Sequence, residues 1–392
     1  MWRPAFSLLR KINIPSIQEN TYFKLLYSTS RVTKTRSKST AKLTLVSASV
    51  GVLVGAGYGG YTHYKINIKK NQPDDKDEYA FLEKAPEYKA NYRVINDSDT
   101  SNLRLILFQY RTCPFCCKVR AYLDSKGISY EIVEVDAVLR QAIKWSGYKK
   151  VPILLAKVEG GYQQLLDSSA IISVLETYLQ DGDTSLREII KYYPTTRYQN
   201  EQGKYVSDIT NKYFVMHKTF IRLYGEKLSE ILEERKWRQW ADSILVHTLS
   251  PNVYRTPGEA LETFKWFEEA GGWRQSFPGW ECALMVYGGA FAMWIIARRL
   301  KTRHHIKDDV RESLYDAANV WMSAIKKKGT HFLGGDKPNL ADITVYGVLS
   351  SIEGCQAFQD LRSNSDIGIW YDEIKRSIEN KQGKVMSVAT QI

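Results

Sequence analysis

Apolar and polar positions follow two rhythms along this chain, and the rhythm changes near residue 180. The stretch "LRLILFQY" (103–110) is a dense apolar run of the kind a buried strand requires. In "CPFCCKVRAYLDSKG" the residues Val119, Tyr122 and Leu123 fall at helical spacing, and Gly127 marks a stop. "ISYEIVEVD" (128–136) alternates as a second strand, "LRQAIKWSGY" (139–148) has a helical pattern, and "VPILLAK" and "YQQLLD" are two more strands joined across "VEGG". "SSAIISVLETYL" (168–179) closes the series as a helix, with Ser168 or Ser169 placed to cap it.

The predicted order β-α-β-α-β-β-α is that of a thioredoxin-like domain of the glutaredoxin type, assigned to residues 102–181. A linker is expected over 182–210, and amphipathic helical patterns then dominate 211–380, ahead of a short tail at 381–392. Within them "CALMVYGGAFAMWIIA" (282–297) holds sixteen uncharged residues, too few for the roughly 18 of a membrane crossing, so a buried core helix is expected. In "GGDKPNLADITVYGVL", Asn339 is placed to cap a helix while Asp342 reaches back to the cap. A helix with that signature forms the core of the all-α carboxy-terminal domain of glutathione transferases. The fold class is therefore α/β thioredoxin-like followed by an all-α domain.

The net charge of +12 would suggest a nucleic-acid partner if it were spread over the fold. It is not: residues 1–42 carry nine Lys or Arg against the single acid Glu19, leaving the rest nearly balanced. No nucleic acid is expected. The acid-poor start, with its Arg, Ser and bulky apolar residues, has the composition of a mitochondrial presequence, or else of a basic disordered tail. Residues 43–64 are uncharged and long enough to cross a bilayer once, with Gly51, Gly55 and Gly59 at four-residue spacing. A single-pass anchor is the preferred reading and a cleaved signal remnant the other. Residues 65–101 are polar and mixed in charge, as in a tether.

Three of the five cysteines lie within "CPFCC", residues 113–117. No second cysteine pair completes a zinc site, so no metal is expected. At the junction of a strand and a helix, the helix dipole and free amides stabilise a thiolate at the first cysteine of C-x-x-C. That makes Cys113 the candidate nucleophile and Cys116 its resolving partner, with Cys117 packed or idle. Tyr110 ends the strand three residues earlier and has a hydroxyl to offer the sulfur, or is a packing aromatic. Pro152 precedes a strand where thioredoxin-like proteins place a cis-proline, which bares the Val151 backbone to a peptide-like ligand. Asp167 and Ser168 sit at a helix start, suited to a γ-glutamyl group. Together these point to a glutathione site.

These segments, with "KWRQWADSILVHTLSPNVYRTPGEAL", resemble the membrane-associated prostaglandin E synthase 2 family across about residues 100–380. The resemblance implies a glutathione-transferase-like homodimer that isomerises prostaglandin H2 to prostaglandin E2. It also implies binding of glutathione and of haem, with an endoperoxide-cleaving lyase as the haem-loaded form; since no His lies near the C-x-x-C in sequence, the glutathione sulfur is the expected iron ligand and His247 the alternative. By position it assigns Cys113 as the essential thiol, Tyr110 and Cys116 beside it, and Val151, Pro152, Asp167 and Ser168 to glutathione. Phe115, His247 and Ser250 would face the substrate. A mitochondrial membrane is the expected location and the Golgi membrane the alternative. Two other readings stay open, a glutaredoxin-like thiol oxidoreductase and a membrane-tethered haem or glutathione carrier.

Overall fold

The computed structural model describes residues 79–388 apart from 200–202, 204 and 217–227. The basic start, the span expected at 43–64 and the first part of the tether lie outside the described residues. From residue 79 onward the chain forms β1 (Phe81–Leu82), β2 (Tyr92–Ile95), β3 (Leu105–Gln109), α1 (Pro114–Ser125), β4 (Tyr130–Glu134), β5 (Ile153–Val158), β6 (Gly161–Leu166) and α2 (Ser168–Asp181). After α3 (Leu186–Ile190) comes a two-stranded hairpin of β7 (Thr195–Gln199) and β8 (Tyr205–Ile209).

The helical half follows. Helix α4 (Leu228–Trp240) passes through a π turn at Ala241–Leu245 into α5 (Val246–Val253), and α6 (Pro257–Ala270) and the short α7 (Trp273–Ser276) come next. Helix α8 (Gly279–Ala283) continues through a second π turn, Leu284–Gly288, into α9 (Gly289–Arg303), making one helix of 25 residues. The remaining elements are α10 (Val310–Lys328), α11 (Leu340–Ser350), α12 (Gln356–Ser363), α13 (Ile367–Glu379) and β9 (Lys384–Ser387).

Strand β3 lies at the centre of the main sheet, whose order is β1-β6-β5-β3-β4-β2-β9. It runs parallel to β4, with Leu105 opposite Tyr130, and antiparallel to β5, with Leu105 opposite Ala156. All five of its residues are buried, because the strand period of two sends them to two cores. Leu105 and Leu107 join Val119, Tyr122, Leu123, Ile171 and Val174 under α1 and α2. Ile106 and Phe108 point the other way, onto Ile153, Leu155, Ile143 and the rings of Trp145 and Tyr148.

The expected strand and helix order holds with one exception. Residues 139–148 form only a single 3-10 turn at Gln141–Ile143, because Asp136 satisfies the amides of Leu139, Arg140 and Gln141 and holds the loop in place of a longer helix. The ends of the fold also differ from expectation. Part of the 65–101 tether supplies β1 and β2, the 182–210 linker contains α3 and the hairpin, and the tail at 381–392 adds β9 beside β2. All of these are short elements of two to five residues, too short to leave a periodic signal in a sequence.

The carboxy-terminal half is helical as expected, and α11 opens with the reciprocal cap in which Asn339 accepts from the Ala341 and Asp342 amides and Asp342 accepts from the Asn339 amide. Helix α11 seats the two halves on each other through Gly347: a Cβ there would stand 2.6 Å from the Lys118 Cα of α1. The helix containing residues 282–297 is not the buried core helix expected. It packs on α6 along one side, and only 33% of its most apolar window is buried, with Trp280, Leu284, Tyr287 and Phe291 facing outward. Among the described residues it is the one helix long and apolar enough to cross a membrane.

Candidate active site

Cys113 occupies the N-cap position of α1, with extended backbone angles, and Pro114 takes the first helical position, where a missing N–H costs nothing. The Cys113 amide donates to the Tyr110 carbonyl (3.0 Å), and the Cys113 carbonyl accepts the first helical bond from Cys117 (2.8 Å). This fixes a partly exposed sulfur at the positive end of a twelve-residue helix. A hydrogen bond from the Cys116 thiol, the amides of Cys116 and Phe115, and the Arg120 charge outweigh burial and hold the Cys113 thiol down to about 7. Cys116 lies buried beneath it, and burial together with the Cys113 charge pushes its own thiol well up. The pair thus divides into an ionised nucleophile and a protonated partner.

Cys117 is packed inward. Its Sγ donates to the Arg111 carbonyl (3.3 Å) and accepts from Arg120 (3.2 Å), and burial raises its pKa. Tyr110 stands beside Cys113 in the cluster with Trp145 and Tyr148, but its hydroxyl makes no hydrogen bond to the sulfur among the described residues. Burial raises its pKa and keeps it protonated, so it remains a donor available to an incoming group. From the helical half the buried Tyr254 brings a second phenol within electrostatic reach of Cys113, its pKa raised first by burial.

A cleft of about 390 Å³ opens at Phe115, two residues beyond Cys113; Cys113, Cys116 and Tyr110 are not themselves among its lining residues. The thioredoxin-like half lines it with Phe115, Tyr148, Val151, Pro152, Asp167 and Ser168, and the Val151–Pro152 peptide is cis. Asp167, rather than either serine, caps α2: its Oδ1 accepts from the amides of Ser169 (2.9 Å) and Ala170 (3.2 Å). The Asp167 backbone sits at φ +63, a region costly for a residue with a Cβ and found where a site holds its shape by surrounding contacts.

The opposite wall was not legible from motifs. Asp242, in the first π turn, lies at the centre of a buried network that receives the Lys118 ammonium, the Ser169 hydroxyl (2.6 Å) and the Tyr213 hydroxyl (3.2 Å). Lys118 is fully buried and also donates to Ser169 (2.9 Å), so α1, α2 and the helical half meet at one ion pair. Burial alone would raise the Asp242 pKa, but Lys118 and the two hydroxyls hold it below the ordinary carboxylate range. Lys212 faces both Asp208 (2.5 Å) and Asp167 (3.6 Å) across the cleft. A π turn at such a point is a common way of re-aiming side chains toward a site. The one hint in the sequence is Lys118 itself, a lysine between Cys117 and Val119 on the inward face of α1.

Two residues assigned to the substrate side fall elsewhere. His247 stacks on His304, with ring centroids 3.9 Å apart, and neither it nor Ser250 lines the cleft. Gln239 near the end of α4 and Asp242 and Ser243 in the π turn face the opening instead.

The glutaredoxin family profile matches residues 105–159, which run from β3 to the loop after β5. Among solved structures the chain is similar to glutathione S-transferase III in its apo form, at 16% identity over 71% of this chain and 95% of that one, with a TM-score of 0.37. A rice glutathione transferase solved in complex with glutathione is similar at 14% identity over 70% of this chain and 89% of that one, with a TM-score of 0.38. Prostaglandin E synthase 2 of Danio rerio is 44% identical over 84% of this chain and 81% of its own. Prostaglandin E synthase 2 of Mus musculus is 51% identical over 71% of this chain and 72% of its own. With that identity along most of its length, a glutaredoxin-type domain and a helical second half, the chain belongs to the prostaglandin E synthase 2 family of isomerase enzymes.

Proposed function

We propose that this protein isomerises prostaglandin H2 to prostaglandin E2 with Cys113 as nucleophile and glutathione held beside it. The observation that carries the reading is the Cys113 thiol, depressed to about 7 at the start of α1 and set next to a cleft bordered by a cis-proline loop and the amino terminus of α2. The Val151 backbone before the cis-proline would pair with the cysteinyl part of the tripeptide, and Asp167 and Ser168 would take its γ-glutamyl end. Phe115 and Tyr148 give the lipid an apolar edge.

In this reading the Cys113 thiolate attacks one endoperoxide oxygen, and the O–O bond breaks with its electron pair going to the other oxygen, which takes up a proton. Loss of the proton from the carbon bearing the sulfur-bound oxygen forms the ketone and returns the electron pair to sulfur. Nothing is consumed. Replacing Cys113 by Ser is expected to abolish turnover of the endoperoxide while the fold stays intact by circular dichroism. A variant that still turns over at the wild-type rate rejects the mechanism.

A second reading rests on Cys116, the buried and protonated thiol one turn beyond Cys113, which is placed to resolve a mixed disulfide as glutaredoxins do. Reduction of a glutathione mixed disulfide that requires both cysteines would establish it as a further activity. Haem would find no imidazole among the residues lining the cleft, since His247 is stacked on His304, and in this reading the glutathione sulfur would be its iron ligand. Phe115, Tyr148, Val151 and Pro152 would then be its apolar neighbours, and the group would supply an endoperoxide-cleaving lyase chemistry.

We further propose a homodimer, supported by the outward apolar row Trp280, Leu284, Tyr287 and Phe291, which has no partner within the described chain. Phe291→Asp is expected to shift a dimer to monomer in light scattering. Residues 43–64 are proposed as the single membrane anchor, in a mitochondrial membrane by the composition of residues 1–42 and otherwise in the Golgi.

A further inference from the structure

The turn between β3 and α1 carries Tyr110 at one end and Cys113 at the other, and its residues belong to neither a strand nor a helix. Their backbone groups have to be satisfied by something other than a ladder or a helical bond. At Arg111 side chains supply both partners. The amide donates to Glu134 Oε2 of β4 (3.1 Å), and the carbonyl accepts from the Cys117 thiol of α1 (3.3 Å). Behind the turn these two side chains are joined to each other. Glu134 Oε1 accepts from the Gln109 side-chain amide (2.6 Å), and Gln109 Oε1 accepts from one terminal nitrogen of Arg120 (2.7 Å). The other terminal nitrogen of Arg120 donates to the Cys117 sulfur (3.2 Å). A closed ring of five hydrogen bonds results, which starts at the Arg111 amide and ends at the Arg111 carbonyl.

Gln109, Glu134 and Cys117 are buried, and the Glu134 amide is itself held by the Asn91 side chain (2.8 Å). A buried network with every member paired favours one arrangement, and deleting a member leaves its neighbours unpaired away from water. Cys117 makes two of the five bonds with a single atom, receiving from Arg120 while giving its one S–H to the turn. A neutral thiol or a hydroxyl can do both, and an apolar side chain can do neither. The Cys117 amide also donates to the Cys113 carbonyl (2.8 Å), so residue 117 grips the chain on both sides of Thr112.

We propose that Cys117 is a positioning residue for the reaction at Cys113: through the Arg111 carbonyl it holds the turn that sets the Tyr110 phenol and the Cys113 sulfur relative to each other. The inference rests on the isomerase reading above, in which the sulfur attacks one endoperoxide oxygen while the other takes up a proton. Both ends of the turn then have to meet one small bicyclic group. Misplacing reacting groups by about 1 Å can cost on the order of 100-fold in rate, so a turn released from its ring should show its freedom in turnover before it shows in binding.

The test compares the full-length wild-type protein with Cys117→Ala and Cys117→Ser, two variants that differ from each other only by a hydroxyl. Turnover of prostaglandin H2 with glutathione, alkylation of Cys113 by iodoacetamide, and amide hydrogen exchange over residues 109–113 are followed in each. Cys117→Ala should lower kcat about 10-fold or more with KM within about twofold of the wild type, the signature of lost positioning rather than lost binding. Exchange over 109–113 should speed up, and Cys113 should remain alkylatable. Cys117→Ser keeps a donor and an acceptor, and it should bring kcat back to within about threefold and restore the slow exchange. Glu134→Gln breaks the ring on the β4 side by setting one N–H donor against another. It should behave as Cys117→Ala does, and the double variant should be no slower than the slower single one. A wild-type kcat in Cys117→Ala, or a Cys117→Ser enzyme as slow as Cys117→Ala, overturns the positioning role and leaves the isomerase reading standing. Wild-type protein that is inert toward the endoperoxide, with Cys113 alkylatable, overturns the isomerase reading. The hold on the turn is then decided by exchange alone, and equal protection in Cys117→Ala and the wild type overturns it as well.

Discussion

The two walls of the cleft hold their polar groups by different means. The wall from the thioredoxin-like half relies on backbone: the start of α1 under Cys113, the cis peptide at Val151–Pro152 and the capped start of α2 at Asp167. The wall from the helical half relies on side chains brought from distant parts of the chain, with Lys118 reaching Asp242 across 124 positions and Lys212 reaching Asp167 across the opening. Backbone donors are present whenever the local fold forms, and they tolerate substitution of the side chains around them. An ion pair carried on side chains costs desolvation at both ends, and it fails when either end is removed. The first wall should therefore degrade gradually under mutation and the second abruptly.

The largest effect is expected where that difference is most exposed. Lys118→Ala leaves the Asp242 carboxylate buried with only two hydroxyls for partners, and breaking such a pair typically costs about 3–5 kcal/mol. Lys118→Met paired with Asp242→Leu removes both charges and should recover much of the loss, because the desolvation cost goes with them. Chemical denaturation of the single and double variants measures both terms. A single variant that loses less than about 1 kcal/mol would show the pair to be wet and ordinary. The sign with pH follows from the depressed Asp242 carboxyl: its contribution is full above the ordinary carboxylate range and is lost as pH falls through its lower folded value. Acid unfolding should accordingly begin at higher pH in Lys118→Ala than in the wild type.

The same contrast explains what could be read from the sequence. Cys113, Pro152, Asp167 and the Asn339–Asp342 cap are local features, in which a few adjacent residues decide the backbone and the backbone decides the site. Asp242 and Tyr213 gain meaning only through Lys118, 124 positions before Asp242, and through a π turn, which no short pattern announces. His247 shows the reverse failure. Only the resemblance points it toward the substrate, with no local pattern behind it, and in the structure its ring stacks on His304. The helix at 282–297 was misplaced for another reason: apolar composition gives the area a helix must cover, not whether the same chain covers it.

A middle-sized effect is expected at the seam itself. Gly347→Ala puts a methyl 2.6 Å from the Lys118 Cα and 2.9 Å from its amide nitrogen, both of them backbone atoms that cannot swing aside. Forcing α11 off α1 should cost about 1–3 kcal/mol. It should also loosen the Lys118–Asp242 pair, because Lys118 is the residue displaced. Measured together with Lys118→Ala, the two losses should fall short of additivity. Full additivity would mean that the seam and the ion pair are independent, and the contrast between the walls would lose its physical link.

On the backbone-built wall, the expected change is in reactivity more than in stability. Alkylation of Cys113 should reach half its plateau rate near pH 7, and Cys116→Ala should move that midpoint upward, because the Cys116 thiol is the leading stabiliser of the thiolate. The midpoint should stop short of a free thiol's, since the helix amides and Arg120 remain. Because the folded value is depressed, the thiolate's contribution to stability is present at alkaline pH and disappears as pH falls through about 7. A midpoint in Cys116→Ala identical to the wild type would assign the whole shift to the helix terminus.

The smallest effect separates two jobs done by one carboxylate. Asp167→Ala removes the cap from α2 and should cost about 1 kcal/mol, whereas Asp167→Asn keeps an oxygen for the Ser169 and Ala170 amides and should be nearly neutral in stability. Asn also tolerates the positive φ at this position better than most residues do. What Asn lacks is the charge that faces Lys212 and, in the proposed complex, the amino group of the γ-glutamyl end. Calorimetric titration with glutathione should therefore show weaker binding for Asp167→Asn even though its unfolding curve overlays the wild type. If the affinity is unchanged, Asp167 acts on the helix alone, and recognition of the amine passes to the assembled wall, where Asp208 and Asp242 are the remaining acids lining the cleft.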